Sequence, residues 1–143
     1  MQDSNRYLPL LGRALIALPF MFSGLGKLFT YHATVGYIGA VGLPFPQLGW
    51  VIALCVELGG GTLLLLGYRV RPVAVVLAVF ALATAVFFHR NFADQNQMIN
   101  FLKNIMILGG LLQVVYFGAG PLSLDARTTA RAASSGEIHG RTA

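Results

Sequence analysis

The residue in this sequence with the clearest capacity for chemistry is Glu57, an acid near the middle of an otherwise apolar run. That run begins at Leu48 and ends at Leu66. An unpaired charge in an apolar medium costs several kcal/mol, so the carboxylate needs a cationic or hydrogen-bonding partner. Ionisable groups inside membrane spans are rare and costly, which makes proton transfer or ligand binding the first hypothesis for Glu57. A purely structural ion pair is the alternative.

Three cations are candidates for the partner of Glu57. Lys103 ranks first, because a rise of ~1.5 Å per residue places it roughly 7 Å from Glu57 along the membrane normal, and a lysine side chain covers that distance. Arg13 ranks second and Lys27 third, with little to separate them. Ser23 precedes Lys27 by one helical turn and shares its face.

Further polar residues predict one shared cavity. His89 ends the third apolar run, and a polar strip opens the fourth run with Gln97, Asn100, Lys103 and Asn104. Together with Lys27 and Glu57 these side chains are expected to converge in a cavity that opens outward. Each has a structural alternative: an interfacial histidine beside Arg90, interhelical hydrogen bonds for the asparagines, and a Lys27 that extends to the membrane surface.

The elements that carry these residues are four apolar runs of a length that spans a bilayer as helices. The chain has 143 residues, of which 56% are hydrophobic and 10% are charged, whereas soluble domains carry about 25% charged residues. The predicted fold is therefore all-α, an integral membrane four-helix bundle with a capping segment at 30–47 between helices 1 and 2. The spans are expected at about 8–29, 48–66, 71–88 and 99–117.

The predicted organisation is a transmembrane domain over 1–124 and a disordered cytoplasmic tail over 125–143. Most basic residues fall at one end of the predicted bundle, and this bias places both termini in the cytoplasm of a multi-pass inner-membrane protein. That end carries Arg6, Arg13, Arg69, Arg71, Arg127, Arg131 and Arg141, and the other end carries Lys27, Arg90 and Lys103. The arginines are scattered between apolar runs rather than clustered on one face, so no nucleic-acid partner is expected.

The sequence contains few residues that bind metals or form disulfides. The single cysteine excludes a CxxC pair within this chain, and no Asp/Glu/His cluster has the spacing of metal ligands. Of the three histidines, His89 alone lies near a predicted span, which excludes a haem held by two histidines of one protomer. Redox chemistry here would therefore need a bound or lipid-soluble cofactor, or a carrier on another subunit.

Several short segments resemble the DoxX family of small four-helix bacterial membrane proteins, in the same order and spacing. They are "FMFSGLGKLF", "GLPFP", "VELGGGTLLLLGYRVRP", "FFH", "NFLKN" with "LGGLLQ", and "GPLSLD". The resemblance covers about residues 13–125. It implies a four-helix fold, an inner-membrane location, and typical polar positions at Arg13, Lys27, Glu57, His89 and Lys103. The family is similar to subunits of thiosulfate:quinone oxidoreductases, and one member assembles with a superoxide dismutase and a sulfurtransferase.

Three functions follow from the residues and the resemblance together. The first is the membrane subunit of a quinone-linked redox system, in which Glu57, Lys103 and His89 are catalytic. In that system Lys27, Asn100, Asn104 and Arg13 bind a quinone or quinol. The second is a non-catalytic membrane anchor for a cytoplasmic redox enzyme. The third is a small transporter subunit. The expected partners are the lipid bilayer and either another protein subunit or further copies of this chain.

Overall fold

The structure, a computed structural model, describes residues 2–131, which form helices and connecting turns without a strand. Four helices in this range are long and apolar enough to cross a membrane, which confirms the predicted all-α four-span fold. The helices are α1 (Gln2–Phe29), α2 (Tyr31–Ala40), α3 (Pro46–Leu66), α4 (Val70–Phe88), α5 (Gln95–Phe117) and α6 (124–131).

The second and fourth spanning helices begin earlier than the apolar runs that predicted them. α3 starts with Pro46 in its first turn, where the missing N–H of proline has no helical partner to lose. α5 starts at Gln95 because the Asp94 carboxylate accepts hydrogen bonds from the backbone N–H groups of Asn96 and Gln97. This side-chain cap extends a polar turn beyond the apolar part of the helix.

The capping segment predicted between the first two spans is a short helix, α2. It packs on α3, where Gly49 lets the side chain of Ile38 approach closely. The hydroxyl of Tyr37 donates a hydrogen bond to the carbonyl of Phe88 at the end of α4, at 3.1 Å. α2 therefore covers the end of the bundle at which α1 and α4 finish, which is called the capped end below.

The opposite end, called the tail end, is closed by the segment that follows α5. Asp125 accepts hydrogen bonds from the backbone N–H groups of Arg69 and Val70, at 2.7 and 2.9 Å, and so caps the first turn of α4. Its own N–H donates to the carbonyl of Gly67 in the α3–α4 turn. Residues 124–131 are helical, whereas the sequence predicted a disordered tail from Asp125; residues 132–143 lie outside the described range.

The bundle is packed at the tail end and open at the capped end. The buried apolar core lies between the tail-end halves of the helices and is rich in alanine, because small side chains on α4 allow its neighbours to approach closely. Its members are Ala17, Phe20, Leu64, Val70, Ala74, Leu77, Ala78, Ala81, Leu111 and Ala119. Two helix pairs supply most of the packing, α4 with α5 and α1 with α3.

Gly61 marks a place where α1 and α3 are in close contact. A Cβ atom at this position would lie 2.8 Å from Cγ of Met21 and 3.2 Å from the backbone oxygen of Ala17. At Gly59, in the same helix, a Cβ atom would have no neighbour within 4 Å. The same substitution at each glycine therefore distinguishes the cost of disturbed helix packing from the effect of helix propensity.

We expect Gly61→Val to destabilise the protein by about 1–3 kcal/mol, because the added side chain forces α1 away from α3. Gly59→Val introduces the same residue on the outer surface and should change stability by less than about 0.5 kcal/mol. Reversible unfolding of both variants in mixed detergent micelles measures the difference. Equal destabilisation would show that the close helix contact is not what stabilises this pair.

Candidate functional site

Glu57 is buried inside the bundle, as predicted by the small residues Gly49, Ala53 and Gly61, which share its helix face at four-residue steps. Its residue is 5% exposed, and Ala53 and Gly61, one turn away on either side, are buried as well. The local backbone is a π-helical turn over Cys55–Gly60, which the sequence did not predict. Such turns carry an extra residue, are rare, and occur often at functional sites because they redirect a side chain out of the regular helical register.

The partner of Glu57 is Lys27. The Nζ atom of Lys27 donates hydrogen bonds to both carboxylate oxygens of Glu57, each at 2.8 Å. Ser23, one turn earlier in α1, accepts a third hydrogen bond from Nζ at 2.7 Å and donates its hydroxyl to Oε1 of Glu57 at 3.1 Å. All three ammonium donors of Lys27 are thus used. The three residues are called the ion-pair cluster below.

Neighbouring contacts fix the position of Lys27. The indole N–H of Trp50 on α3 donates to the backbone carbonyl of Lys27 at 3.0 Å, which joins the end of α1 to the start of α3. Gly24 packs against Leu58 and against Cβ of Glu57, so α1 and α3 meet beside the cluster. The cluster is therefore preorganised by backbone contacts on both helices rather than by the ion pair alone.

The cluster lies on the wall of a cavity of about 800 Å³ in the capped half of the bundle. Every helix that precedes α6 contributes to its lining, and most lining side chains are apolar, including Phe20, Ile52, Phe80 and Ile107. Ligand sites typically have volumes of ~300–1,000 Å³, apolar walls and a few placed polar groups. The cavity has this character, with the ion-pair cluster as its charged group.

Other polar groups line the same cavity. His89 and Asn104 are among them, as predicted, together with Tyr37 and the hydroxyl residues Thr30, Thr34 and Thr84. Nδ1 of His89 lies 2.8 Å from Oε1 of Gln97, so with the amide oxygen as acceptor the ring donates from Nδ1. Asn104 donates its side-chain N–H to the backbone carbonyl of Asn100, which is a contact within α5.

Three predicted members of the cavity, Gln97, Asn100 and Lys103, lie outside its lining, and Gln97 contacts it only through His89. Lys103 is exposed on the outer surface of α5, and its predicted pairing with Glu57 is wrong. Consecutive residues of an α-helix point about 100° apart, so the rotation that directs Asn104 into the cavity directs Lys103 away from it. Asn100 shares the face of Asn104 but contributes its backbone carbonyl to that neighbour rather than a side chain to the cavity lining.

Arg13 belongs to the tail end and makes no contact with Glu57. Its residue is 1% exposed, and Nη2 donates to the backbone carbonyl of Leu122 at 2.7 Å. The guanidinium packs directly against Gly67, whose positive φ of 69° would strain any side chain there. Nε and Nη1 have no hydrogen-bond partner among the described residues. Arg13 therefore joins α1 to the segment before α6, rather than binding a cavity ligand.

Other residues that shape the cavity had weaker signals in the sequence. Ser23 was identifiable as a neighbour of Lys27 from the four-residue spacing, but its bond to Glu57 was not. From the sequence alone, Trp50 at the start of the second apolar run and Tyr37 in the segment before it are expected at the outer membrane interface, where tryptophan and tyrosine accumulate. In the structure the polar atoms of both side chains close the capped end through backbone carbonyls.

The arrangement can bind an amphipathic molecule and exchange a proton with it. Glu57 uses three acceptor positions, and a carboxylate offers about four, so one remains for an O–H or N–H group of a ligand. The apolar walls suit a ring or an acyl chain. No group of three or more His, Cys, Asp or Glu side chains within the described residues is arranged to hold a metal ion.

Comparison with known proteins agrees with this architecture. The DoxX family profile matches residues 8–90 of the chain. The chain is 40% identical to "Inner membrane protein YqjF" of Escherichia coli (strain K12) over 116 residues, which are 81% of this chain and 88% of that protein. It is 36% identical to "Inner membrane protein YphA" of the same organism over 123 residues, 82% and 88% respectively. No solved structure matches the chain significantly.

We expect Lys27→Met to destabilise the protein by about 1–4 kcal/mol, because it leaves the buried Glu57 carboxylate without its cation. Combining Lys27→Met with Glu57→Leu removes both charges, and the double variant should recover most of the loss. Lys103→Met is the matched control and should leave stability unchanged within about 0.5 kcal/mol. Detergent unfolding completes the double-mutant cycle. Additive effects of the two single substitutions would contradict an energetic coupling between Lys27 and Glu57.

Proposed function

We propose that this chain, which belongs to the DoxX family of membrane proteins, is the membrane subunit of a quinone-linked redox system. The observation that supports the proposal is the Lys27–Glu57–Ser23 cluster on the wall of a largely apolar cavity of about 800 Å³. A multi-pass inner-membrane protein shares its bilayer with lipid-soluble quinones. The resemblance of the family to subunits of thiosulfate:quinone oxidoreductases supports the same class of ligand.

The residues of the cavity fit a quinol. The ring and the start of an isoprenoid tail fit against side chains such as Phe80 and Ile107, and bound quinones carry two electrons together with two protons. The acceptor position that Glu57 keeps free accepts a hydrogen bond from a quinol hydroxyl. A carbonyl oxygen, by contrast, must replace Ser23 as the third acceptor of Lys27, since all ammonium donors are already used.

The proposed roles follow from these positions. Glu57 takes the proton of the bound hydroxyl as general base, and Lys27 holds the carboxylate in place through two hydrogen bonds. His89 and Tyr37, which line the same cavity beneath α2, continue the proton route toward the capped end. Oxidation of the quinol to the quinone releases two protons, which leave in turn through Glu57, and two electrons, which pass to a partner protein of the oxidoreductase class. Asn104 is the remaining polar group on α5 that can orient the ligand.

The proposed orientation places both termini in the cytoplasm. The structure groups Arg6, Arg69, Arg71 and Arg127 with the tail end by their positions in or beside the helix ends there. Positively charged residues accumulate on the cytoplasmic side of membrane proteins. In this orientation α6 meets cytoplasmic proteins, and the cavity lies toward the opposite leaflet.

A ubiquinol titration of the purified protein tests the proposal. We expect saturable binding, followed by tryptophan fluorescence of Trp50, that weakens about tenfold or more in Glu57→Gln, because the amide offers one acceptor oxygen where the carboxylate offers two. Lys103→Met, a charge change off the cavity, should bind as the unmodified protein does. Absence of saturable binding, or equal affinity in Glu57→Gln, would rule out the quinol site.

A non-catalytic anchor is the second candidate, and the fixed tail end favours it. Arg13, Asp125 and Gly67 tie the segment around α6 to the bundle, which presents α6 in a defined place for a cytoplasmic enzyme. In this case the ion-pair cluster only fixes the register of α1 against α3. The two candidates therefore differ in what they require of the charges at Lys27 and Glu57.

Complementation of a deletion strain separates these candidates. If the protein is an anchor, the double variant Lys27→Met/Glu57→Leu should restore the phenotype fully once its membrane level matches that of the unmodified protein. If the cluster is catalytic, restoration should be lost at the same membrane level. A variant that lacks most of α6, because the chain ends after Asp125, should fail to restore the phenotype if the protein is an anchor. If the cluster is catalytic, the same variant should restore it. Immunoblotting of membranes controls for expression.

A further inference from the structure

A second cavity lies at the tail end, away from the ion-pair cluster. It is a groove of about 430 Å³ between the start of α4, the segment that follows α5, and α6. Two arginines line it, Arg69 and Arg71, together with hydroxyl groups of Ser123 and Thr129. We refer to it as the arginine groove.

The two arginines have no anionic partner within the part of the chain that the structure describes. Neither guanidinium makes an ion pair there. The guanidinium of Arg69 lies 5.9 Å from the ring centroid of Tyr68, and Nη2 of Arg71 makes a long contact of 3.4 Å to the carbonyl of Tyr116. Both retain most of their N–H donors for a ligand, since a guanidinium carries five.

The acid that lines the groove, Asp125, forms no ion pair with these arginines within the described residues. Both carboxylate oxygens of Asp125 accept backbone N–H groups, one from Arg69 and one from Val70. These two hydrogen bonds cap the first turn of α4 and hold Arg69 in a left-handed conformation, with φ of 45°. A non-glycine residue in that conformation is uncommon and is held there by its surroundings. The Arg69 backbone is therefore fixed by a contact that leaves its guanidinium available.

The opposite wall of the groove is also held in place. The buried Arg13 donates to the carbonyl of Leu122, and the hydroxyl of Ser123 donates to the carbonyl of Gly120 at 2.7 Å. Gly118 has a φ of 81° and faces Arg71, where an added Cβ would lie 3.7 Å from Nε. The groove is thus a formed feature with fixed backbone on both sides, rather than a gap between mobile side chains.

The groove lies at the level of the membrane surface. Val70 begins one spanning helix and Phe117 ends another, and both line the groove. The arginines therefore lie at the level where the apolar spans end, which is the level of lipid headgroups. Guanidinium groups bind phosphate oxygens with charge-assisted, often bidentate hydrogen bonds.

We propose that the arginine groove is a specific site for the phosphate of an anionic phospholipid headgroup. Arg69 and Arg71 bind the phosphate oxygens, and the hydroxyl oxygen of Thr129, whose proton is donated to the carbonyl of Asp125 at 3.0 Å, accepts a hydrogen bond from the glycerol part of the headgroup. The acyl chains then extend along the apolar surfaces of α4 and α5. This proposal is independent of the ligand in the capped half of the bundle.

Native mass spectrometry of the purified full chain with added phosphatidylglycerol or phosphatidylcholine tests the site. For the first bound lipid we expect about tenfold preference for phosphatidylglycerol, and its loss in Arg69→Gln/Arg71→Gln. The matched control is Arg6→Gln/Arg127→Gln, which removes the same charge from exposed arginines of the tail end outside the groove lining, and it should keep the preference. Size-exclusion profiles and thermal unfolding confirm that both variants are folded.

The outcomes that overturn the proposal are distinct. Retained preference in Arg69→Gln/Arg71→Gln excludes the groove, and equal loss in both double variants shows a general charge effect. Inorganic phosphate supplies the same chemistry without acyl chains. If it displaces phosphatidylglycerol at the same concentration at which the lipid itself binds, the site takes soluble phosphate and the lipid assignment is wrong. Arg69→Lys/Arg71→Lys keeps the charge, and partial preference there would support recognition through bidentate geometry.

Discussion

The ion pair between Lys27 and Glu57 is the interaction on which the rest of the bundle depends. It places a carboxylate inside an apolar assembly and supplies the hydrogen bonds that make this tolerable, all from one neighbouring helix. The pair fixes the rotation of α1 and of α3 about their own axes, because either helix turned by one residue would separate the charges. Trp50, Gly24 and the π-helical turn then adapt the backbone to that requirement.

The bundle consists of a densely packed tail half and a capped half that contains the cavity. The tail half is filled by alanine and leucine side chains and is tied together by Arg13 and Asp125. In the capped half, large side chains such as Phe80 line the cavity instead of filling it. Because close packing fixes the helices in the tail half, the capped half can hold an open cavity without collapsing.

The sequence predicted the features that depend on local pattern. It did not predict which side chains from different helices contact each other. Apolar length predicted the four spans, and the small residues one turn before and after Glu57 predicted its inward face. The choice of Lys103 over Lys27 rested on depth alone, which leaves helix rotation undetermined. Arg13 is bonded to Leu122, and no periodicity relates residues so distant in the chain. The π-helical turn has no sequence signature of its own.

The position of the ion pair also bears on how the chain enters the bilayer. Glu57 alone makes its span harder to insert, by a cost on the order of 3 kcal/mol for an acid near a helix centre. Lys27 lies in the preceding span, and the intervening segment is short, so the two helices can leave the insertion machinery as a neutralised hairpin. Lys27 is synthesised before Glu57, so the cation is already present when the acid must enter the bilayer.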